Sequence, residues 1–209
     1  EFDKQDRWLA HFSHKGRAGP WSSSVNYTSV SDIDYLDDLG GFTNTNSDFS
    51  NALGNSREPA LLRAGTVSYD TISWQSTLEL RSFQEISSLK SNQYEILPRL
   101  TISGSKSFGQ IDSSALLQAT VFDNPSDKKT EGSRIVADIS GSAPFHNSWG
   151  YITPGLRYIH RNYRLDNELP GARDHATINT GLASLDMGLT FERRTSIRNK
   201  SFYQTLEPR

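Results

Sequence analysis

The sequence predicts an all-β protein, an antiparallel transmembrane β-barrel segment of about ten meander strands from an outer-membrane barrel. Three observations predict it. Apolar and polar residues alternate with period two, the alternating stretches are long, and the connections between them run short, long, short, long.

Period-two alternation separates two sets of side chains only in an extended strand, where successive residues point to opposite faces. Trp8, Ala10 and Phe12 oppose Arg7, His11 and Ser13. Trp21, Val25 and Tyr27 oppose Ser22, Ser24 and Asn26. Ile72, Trp74, Leu78 and Leu80 oppose Ser73, Gln75, Thr77, Glu79 and Arg81. Tyr94, Ile96, Leu100 and Ile102 oppose Glu95, Arg99, Thr101 and Ser103. Ile135, Ala137 and Ile139 oppose Arg134, Asp138 and Ser140. Ile152, Leu156 and Tyr158 oppose Thr153, Arg157 and Arg161, and Leu185, Met187, Leu189 and Phe191 oppose Asp186, Thr190 and Glu192. The pattern is weaker at 60–69 and 110–122.

Strands are therefore expected near 5–14, 20–30, 60–69, 72–84, 93–104, 110–122, 133–144, 149–163, 176–193 and 201–209. Most have the roughly 9–11 residues that a tilted membrane strand needs. Short connections are expected at 15–19, 70–71, 105–109 and 145–148, and long ones at 31–59, 85–92, 123–132 and 164–175. Barrels of this class have tight periplasmic turns and longer extracellular loops, which assigns the long set to the outside. Trp8, Trp21, Tyr69, Trp149, Tyr151, Tyr163 and Tyr203 fall near strand ends, as an interfacial girdle would; aromatic preference for strands accounts for them equally. Pro98, Pro154 and Pro208 should each mark a bulge, a break or a strand terminus, because proline removes a ladder donor.

Composition agrees. Hydrophobic residues make up 34% of 209 and the mean hydropathy is −0.60, low for a soluble globular domain. Aromatics at 11% and a net charge of −2 are unlike a disordered chain. No apolar run is long enough for a transmembrane helix. The opening Glu1-Phe2-Asp3-Lys4 is no signal peptide, so the expectation is a fragment with its leader elsewhere. Cysteine is absent, and the charge balance does not favour nucleic acid as a partner.

No residues point to catalysis or a cofactor: no G-x-S-x-G elbow and no phosphate or dinucleotide glycine pattern occurs. The acidic stretch from Asp32 to Gly41 fails the calcium-loop pattern, having Asp37 and Thr43 where glycine and glutamate are required. His11 and His14 lie three apart, on opposite faces of a strand, so no metal site is expected. The informative residues are Glu79, Arg81, Glu95, Arg99, Arg134, Asp138, Arg157, Arg161 and Glu192, all alternating with apolar positions. An arginine in mid-membrane facing lipid costs about 2–4 kcal/mol, so these nine are expected to face a wet lumen. Trp74, Leu78, Leu80, Ile96, Leu100, Ile135, Ile139 and Leu156 are expected to face lipid. The charges either pair with one another to keep the lumen wet or line a path for an anionic cargo.

Four segments resemble a known family. Tyr27-Thr28-Ser29-Val30-Ser31-Asp32, followed by Tyr35 and Asp38-Leu39-Gly40, is similar to the Y-x-x-V-S-D-x-x-Y-x-x-D segment of the lipopolysaccharide-assembly family LptD, also called organic solvent tolerance proteins. Trp149-Gly150-Tyr151-Ile152-Thr153-Pro154 resembles its W-G-x-x-x-P strand, and Leu97-Pro98-Arg99-Leu100 its proline-bearing strand. Gln204-Thr205-Leu206-Glu207-Pro208-Arg209 resembles its Q-T-L-E-P-R strand. The segments follow the family's order along nearly the whole chain.

The resemblance implies a non-enzymatic segment, 1–209, of an integral outer-membrane barrel of a Gram-negative bacterium, without the N-terminal jellyroll and the C-terminal strands. It implies a translocon that inserts lipopolysaccharide into the outer leaflet, with the lipoprotein LptE as lumenal plug, a periplasmic lipopolysaccharide bridge reached through the jellyroll, and outer-membrane lipid as surroundings. The loop residues Ser31, Asp32, Tyr35 and Asp38 match a family motif, and a role in seating the plug or sealing the pore is one expectation for them. Two rivals stay open: a generic porin or diffusion channel, and a soluble all-β binding or adhesion module.

Overall fold

An alternating sequence makes extended segments, and extended segments need neighbours for their backbone hydrogen bonds. The computed structural model describes residues 7–32, 60–85, 94–124, 130–166, 173–197 and 200–208. They form β1 (Leu9–Ala18), β2 (Trp21–Val30), β3 (Ala60–Asp70), β4 (Trp74–Glu85), β5 (Glu95–Phe108) and β6 (Ile111–Asp123). Then come β7 (Glu131–Ser142), β8 (Phe145–Asn147), β9 (Gly150–Asp166), β10 (His175–Leu189), β11 (Phe191–Ile197) and β12 (Lys200–Leu206), with no helix among the described residues.

The first ten strands form one sheet in chain order, β1-β2-β3-β4-β5-β6-β7-β9-β10, with the short β8 paired to β9. Every pairing is antiparallel. Consecutive strands are joined alternately by short and long connections, so the long ones all leave from the same end of the meander, as the sequence predicts. Gly19 and Gly109 adopt φ of 58° and 64° at two of the tight turns, a conformation that a Cβ disfavours. Thr71 shapes a third, with its hydroxyl bonded to both the carbonyl and the amide of Trp74.

Several boundaries differ from expectation. β1 runs through Ala18 and β5 through Phe108, because the positive-φ glycines, and not the residues before them, reverse the chain. The strand expected at 176–193 breaks at Thr190, whose amide donates to the Trp149 carbonyl, and β11 pairs with β12 in a separate two-stranded sheet. The connection expected at 145–148 contains β8. The three prolines behave as expected. Pro98 sits in a register slip, Pro154 at the gap between the β7 and β8 ladders on β9, and Pro208 just past β12.

The sheet is a single layer. Among the described residues only Val30, Ala60, Leu61 and Ile96 are buried hydrophobics, while Trp74, Leu78, Leu117, Ile135, Ile139 and Leu156 are among many that are exposed. A soluble sandwich would cover such a face with a second sheet. On the apolar face near the tight turns, Trp21, Tyr69 and Trp74 form an aromatic cluster, Trp21 edge-on to Tyr69 and Tyr69 tilted against Trp74, with ring centroids 4.8 and 5.4 Å apart.

Candidate functional site: a charged face on an antiparallel wall

Directly paired residues in a sheet share a face, so the register sorts the charges. Glu79 lies opposite Arg99, with Arg81 two residues further along the same face of β4. Its carboxylate, 16% exposed, takes Arg81 Nη2 on Oε1 at 2.5 Å and Arg99 Nη1 on Oε2 at 3.3 Å. One half-buried carboxylate thus serves two guanidiniums.

The row continues through Thr120 of β6 and Arg134 of β7 to Tyr163 of β9. Arg134 Nη2 donates to Gln118 Oε1 at 2.8 Å, and Gln118 Nε2 donates to Thr101 Oγ1 at 3.2 Å. Buried Arg99 Nε, Thr120 Oγ1 and Arg134 Nε have no partner, and all three lie in this one row. Nearer the tight turns Arg157 forks onto Asp138, Nε to Oδ1 at 2.8 Å and Nη2 to Oδ2 at 2.5 Å. Arg161 stands on the same face opposite Val136 and Ile178.

The register therefore brings Glu79, Arg81, Arg99, Arg134, Asp138, Arg157 and Arg161 to one face. It brings Trp74, Leu78, Leu80, Leu100, Ile135, Ile139 and Leu156 to the other. Five arginines share the middle of the charged face with Glu79 and Asp138. Nearer the strand ends the same face carries Lys15, Arg17, Asp70, Glu85, Asp112 and Asp186, so the positive excess is local to mid-wall.

Three predicted positions are placed otherwise. The register slips between Ile96 and Arg99, so one extra residue of β5 is accommodated at Leu97-Pro98 and every residue before it changes face. Ile96 lies opposite Arg81 and Phe122 on the charged face, and is buried. Glu95 lies opposite Asp123 on the apolar face, its Oε1 accepting the Phe83 amide at 3.2 Å. Glu192 belongs to β11, opposite Thr205 and outside the ten-stranded sheet.

Ser31 and Asp32 clamp the open end of the first hairpin, away from its tight turn. Arg7 Nη2 meets Asp32 Oδ1 at 2.7 Å, the Trp8 amide donates to Ser31 Oγ at 3.0 Å, and Ser31 Oγ donates to Asp32 at 2.7 Å. Tyr35 and Asp38 lie outside the described residues. His11 and His14 do point to opposite faces, one bonded to Thr28 and the other to Ser23.

The alternation does not single out Arg63 and Gln84, which lie on the apolar face. The β2–β3 ladder stops at Asn26 and Ala64, although β2 stays paired to β1 through Val30 and β3 to β4 through Ala60. Across that opening Arg63 Nε donates to the Thr28 carbonyl at 3.2 Å, and its Nη2 to Ser29 Oγ at 2.8 Å. The Gln84 carboxamide bonds both the amide and the carbonyl of Val30, at 3.1 and 2.7 Å. An arginine among Leu61, Leu62 and Ala64 was the available signal.

A single-layer antiparallel meander with one apolar and one arginine-rich face defines a class, the two-faced β wall. The family model LPS transport system D, LptD, matches residues 5–209. The chain is 32% identical to the LPS-assembly protein LptD of Alcanivorax borkumensis, over all of the chain and 27% of that protein. It is 32% identical to that of Alkalilimnicola ehrlichii, over 99% of the chain and 27% of that protein. For Aromatoleum aromaticum the figures are 30%, 98% and 25%. The chain belongs to the LptD family, and spans about a quarter of the length of these curated relatives.

Proposed function

We propose that this chain is wall of an integral outer-membrane β-barrel in a Gram-negative bacterium, part of a translocon that delivers lipopolysaccharide to the outer leaflet. The apolar face holds the wall in lipid, and the arginine-rich face lines a wet lumen. Long connections face outward, and the Trp21–Tyr69–Trp74 cluster sits at the periplasmic interface. The role is transport and assembly, with no chemistry performed on the cargo.

One observation carries the reading: across β4–β9 the register gathers seven of the eight predicted charges, all but Glu95, on one side of a single layer whose other side is exposed and mainly apolar. Water on both sides would leave that apolar side uncovered, and lipid on both would strand the arginines. At mid-wall, where five arginines outnumber Glu79 and Asp138, the local positive charge favours an anionic cargo, such as a phosphorylated glycolipid, over a neutral solute. The relatives are named LPS-assembly proteins, which supports lipopolysaccharide as that cargo; an LptE plug in the lumen is the partner that the family resemblance implies.

The test is depletion of the full-length protein in its own bacterium, scoring newly made lipopolysaccharide at the surface. Arrest of surface delivery with internal accumulation is expected. Continued delivery refutes the translocon reading, and leaves a barrel with another cargo if the protein still resists carbonate extraction.

A further inference from the structure

On β9 and β10 the apolar face changes character along its length. Toward the tight turns it carries Ile152, Leu156, Leu185, Met187 and Leu189, and toward the long connection His160, Asn162, Thr177 and Asn179. At the same level β7 stays apolar, with Ala137 opposite His160 and Ile135 opposite Asn162. The polar group is bonded internally. Asn179 Oδ1 accepts from Tyr158 Oη at 3.0 Å and lies 2.7 Å from His160 Nδ1, and Asn162 Nδ2 donates to Thr177 Oγ1 at 2.8 Å. With its oxygen taken twice, Asn179 keeps its Nδ2 donor available, on a residue exposed to the surroundings.

Directly beneath, the same face is notched. Gly181 lies opposite Tyr158 and Ala183 opposite Leu156, and a Cβ at Gly181 would meet nothing within 4 Å. With Ile139 these residues line a groove of about 570 Å³.

We propose that this surface docks one glycolipid of the outer leaflet, an acyl chain lying in the Gly181 groove and sugar hydroxyls bonding the Asn179–His160–Asn162–Thr177 shelf. The proposal rests on the membrane reading above. β9 has 17 residues, which at about 3.3 Å each and a tilt near 40° rise about 40 Å. The apolar band of such a barrel is only about 25 Å tall, so the outer part of β9 stands in the headgroup layer. The shelf offers amides, a hydroxyl and an imidazole, groups suited to sugar hydroxyls. Beyond the shelf on the same face come Arg164 opposite His175 and then Glu131 opposite Asp166, so the shelf's own groups are uncharged amides, a hydroxyl and an imidazole between charges of both signs.

The test places a photoreactive amino acid at Thr177, or as a control at Val121 on the same face, in the full-length protein in its native outer membrane. A lipopolysaccharide adduct is expected at Thr177 in severalfold excess over Val121. Gly181→Leu, which fills the groove, and Asn179→Leu, which removes the donor, should each reduce it severalfold. Equal yields at the two positions, adducts with phospholipid alone, or a yield that neither variant moves would overturn the docking site. Carbonate washing of the same membranes separates the two readings. Loss of the protein on washing refutes the membrane reading and this site with it, whereas retention with any of those adduct patterns refutes the site alone.

Discussion

Arg63 Nη2 donates to Gln84 Oε1 at 2.6 Å, and together these side chains replace a missing stretch of β ladder. Thr28 and Val30 turn backbone groups toward β3, where among the described residues no strand meets them, and both residues are almost wholly buried. Unsatisfied polar groups there would cost about 1–3 kcal/mol each. Two side chains standing in for backbone are less cooperative than a ladder, which makes the end of the β2–β3 seam nearest the long connection a local weak point.

Removing the staple should open it. Gln84→Ala orphans the Val30 amide and carbonyl, and Arg63→Ala the Thr28 carbonyl, so each should lower stability by roughly 1–3 kcal/mol. Amide hydrogen exchange in the full-length barrel should speed up at 27–30 and leave β6–β7 unchanged. Uniform acceleration across the sheet would refute a local seam.

Glu79 holds two arginines, so its loss should exceed the loss of either partner. Glu79→Gln is expected to destabilise the full-length barrel by roughly 1–3 kcal/mol, and Arg81→Gln, whose side chain is 41% exposed, by about 0–1 kcal/mol. Adding Arg99→Gln to Glu79→Gln should restore part of the loss by relieving the facing charges. The temperature at which the folded band converts on a gel checks the order, and additive effects would count against a shared site.

Neighbouring leucines on β6 should respond oppositely to the same change. Leu117 lies opposite Ile102 and Ala137 on the apolar face, and Leu116 opposite Ser103 and Asp138 on the charged face. Leu117→Arg should cost about 2–4 kcal/mol if that face meets mid-membrane lipid, and Leu116→Arg should assemble nearly normally. Comparable amounts of assembled barrel for both would dismiss the two-face assignment.

Ile96 and Leu100 are separated by the register slip. In full-length protein, Leu100→Cys should react with a membrane-soluble thiol reagent and Ile96→Cys should not, because Ile96 is 7% exposed against 39% for Leu100. Equal labelling would return Ile96 to the lipid face. Ile96→Ala should also destabilise, by about 2–5 kcal/mol at full core burial.

Much of the candidate site was legible because alternation is a local signal. Arg99 and Leu100, or Arg157 and Leu156, point opposite ways whatever their partners do. Ile96 and Glu95 were misplaced because two-residue parity has no memory of an inserted residue at Leu97-Pro98. Proline at 98 flagged an irregularity there without saying whether the faces would exchange. Nothing local in the sequence marks Gln118 and Thr101 as a relay, because their bond joins residues 17 apart and only the register brings them together.

The sequence by itself determined the extended segments, the end of the sheet from which long connections leave, and the family to which the chain belongs. These follow from backbone geometry, turn-forming glycines and residue order, all properties of short stretches of chain. Only the tertiary structure decided that Glu79 serves two arginines, that Arg63 and Gln84 close the β2–β3 seam, and that the final strands separate at Thr190. Each of these depends on which residue of a distant strand stands opposite. Register is settled by the joint fit of both strands' hydrogen bonds and faces, which no single stretch of sequence contains.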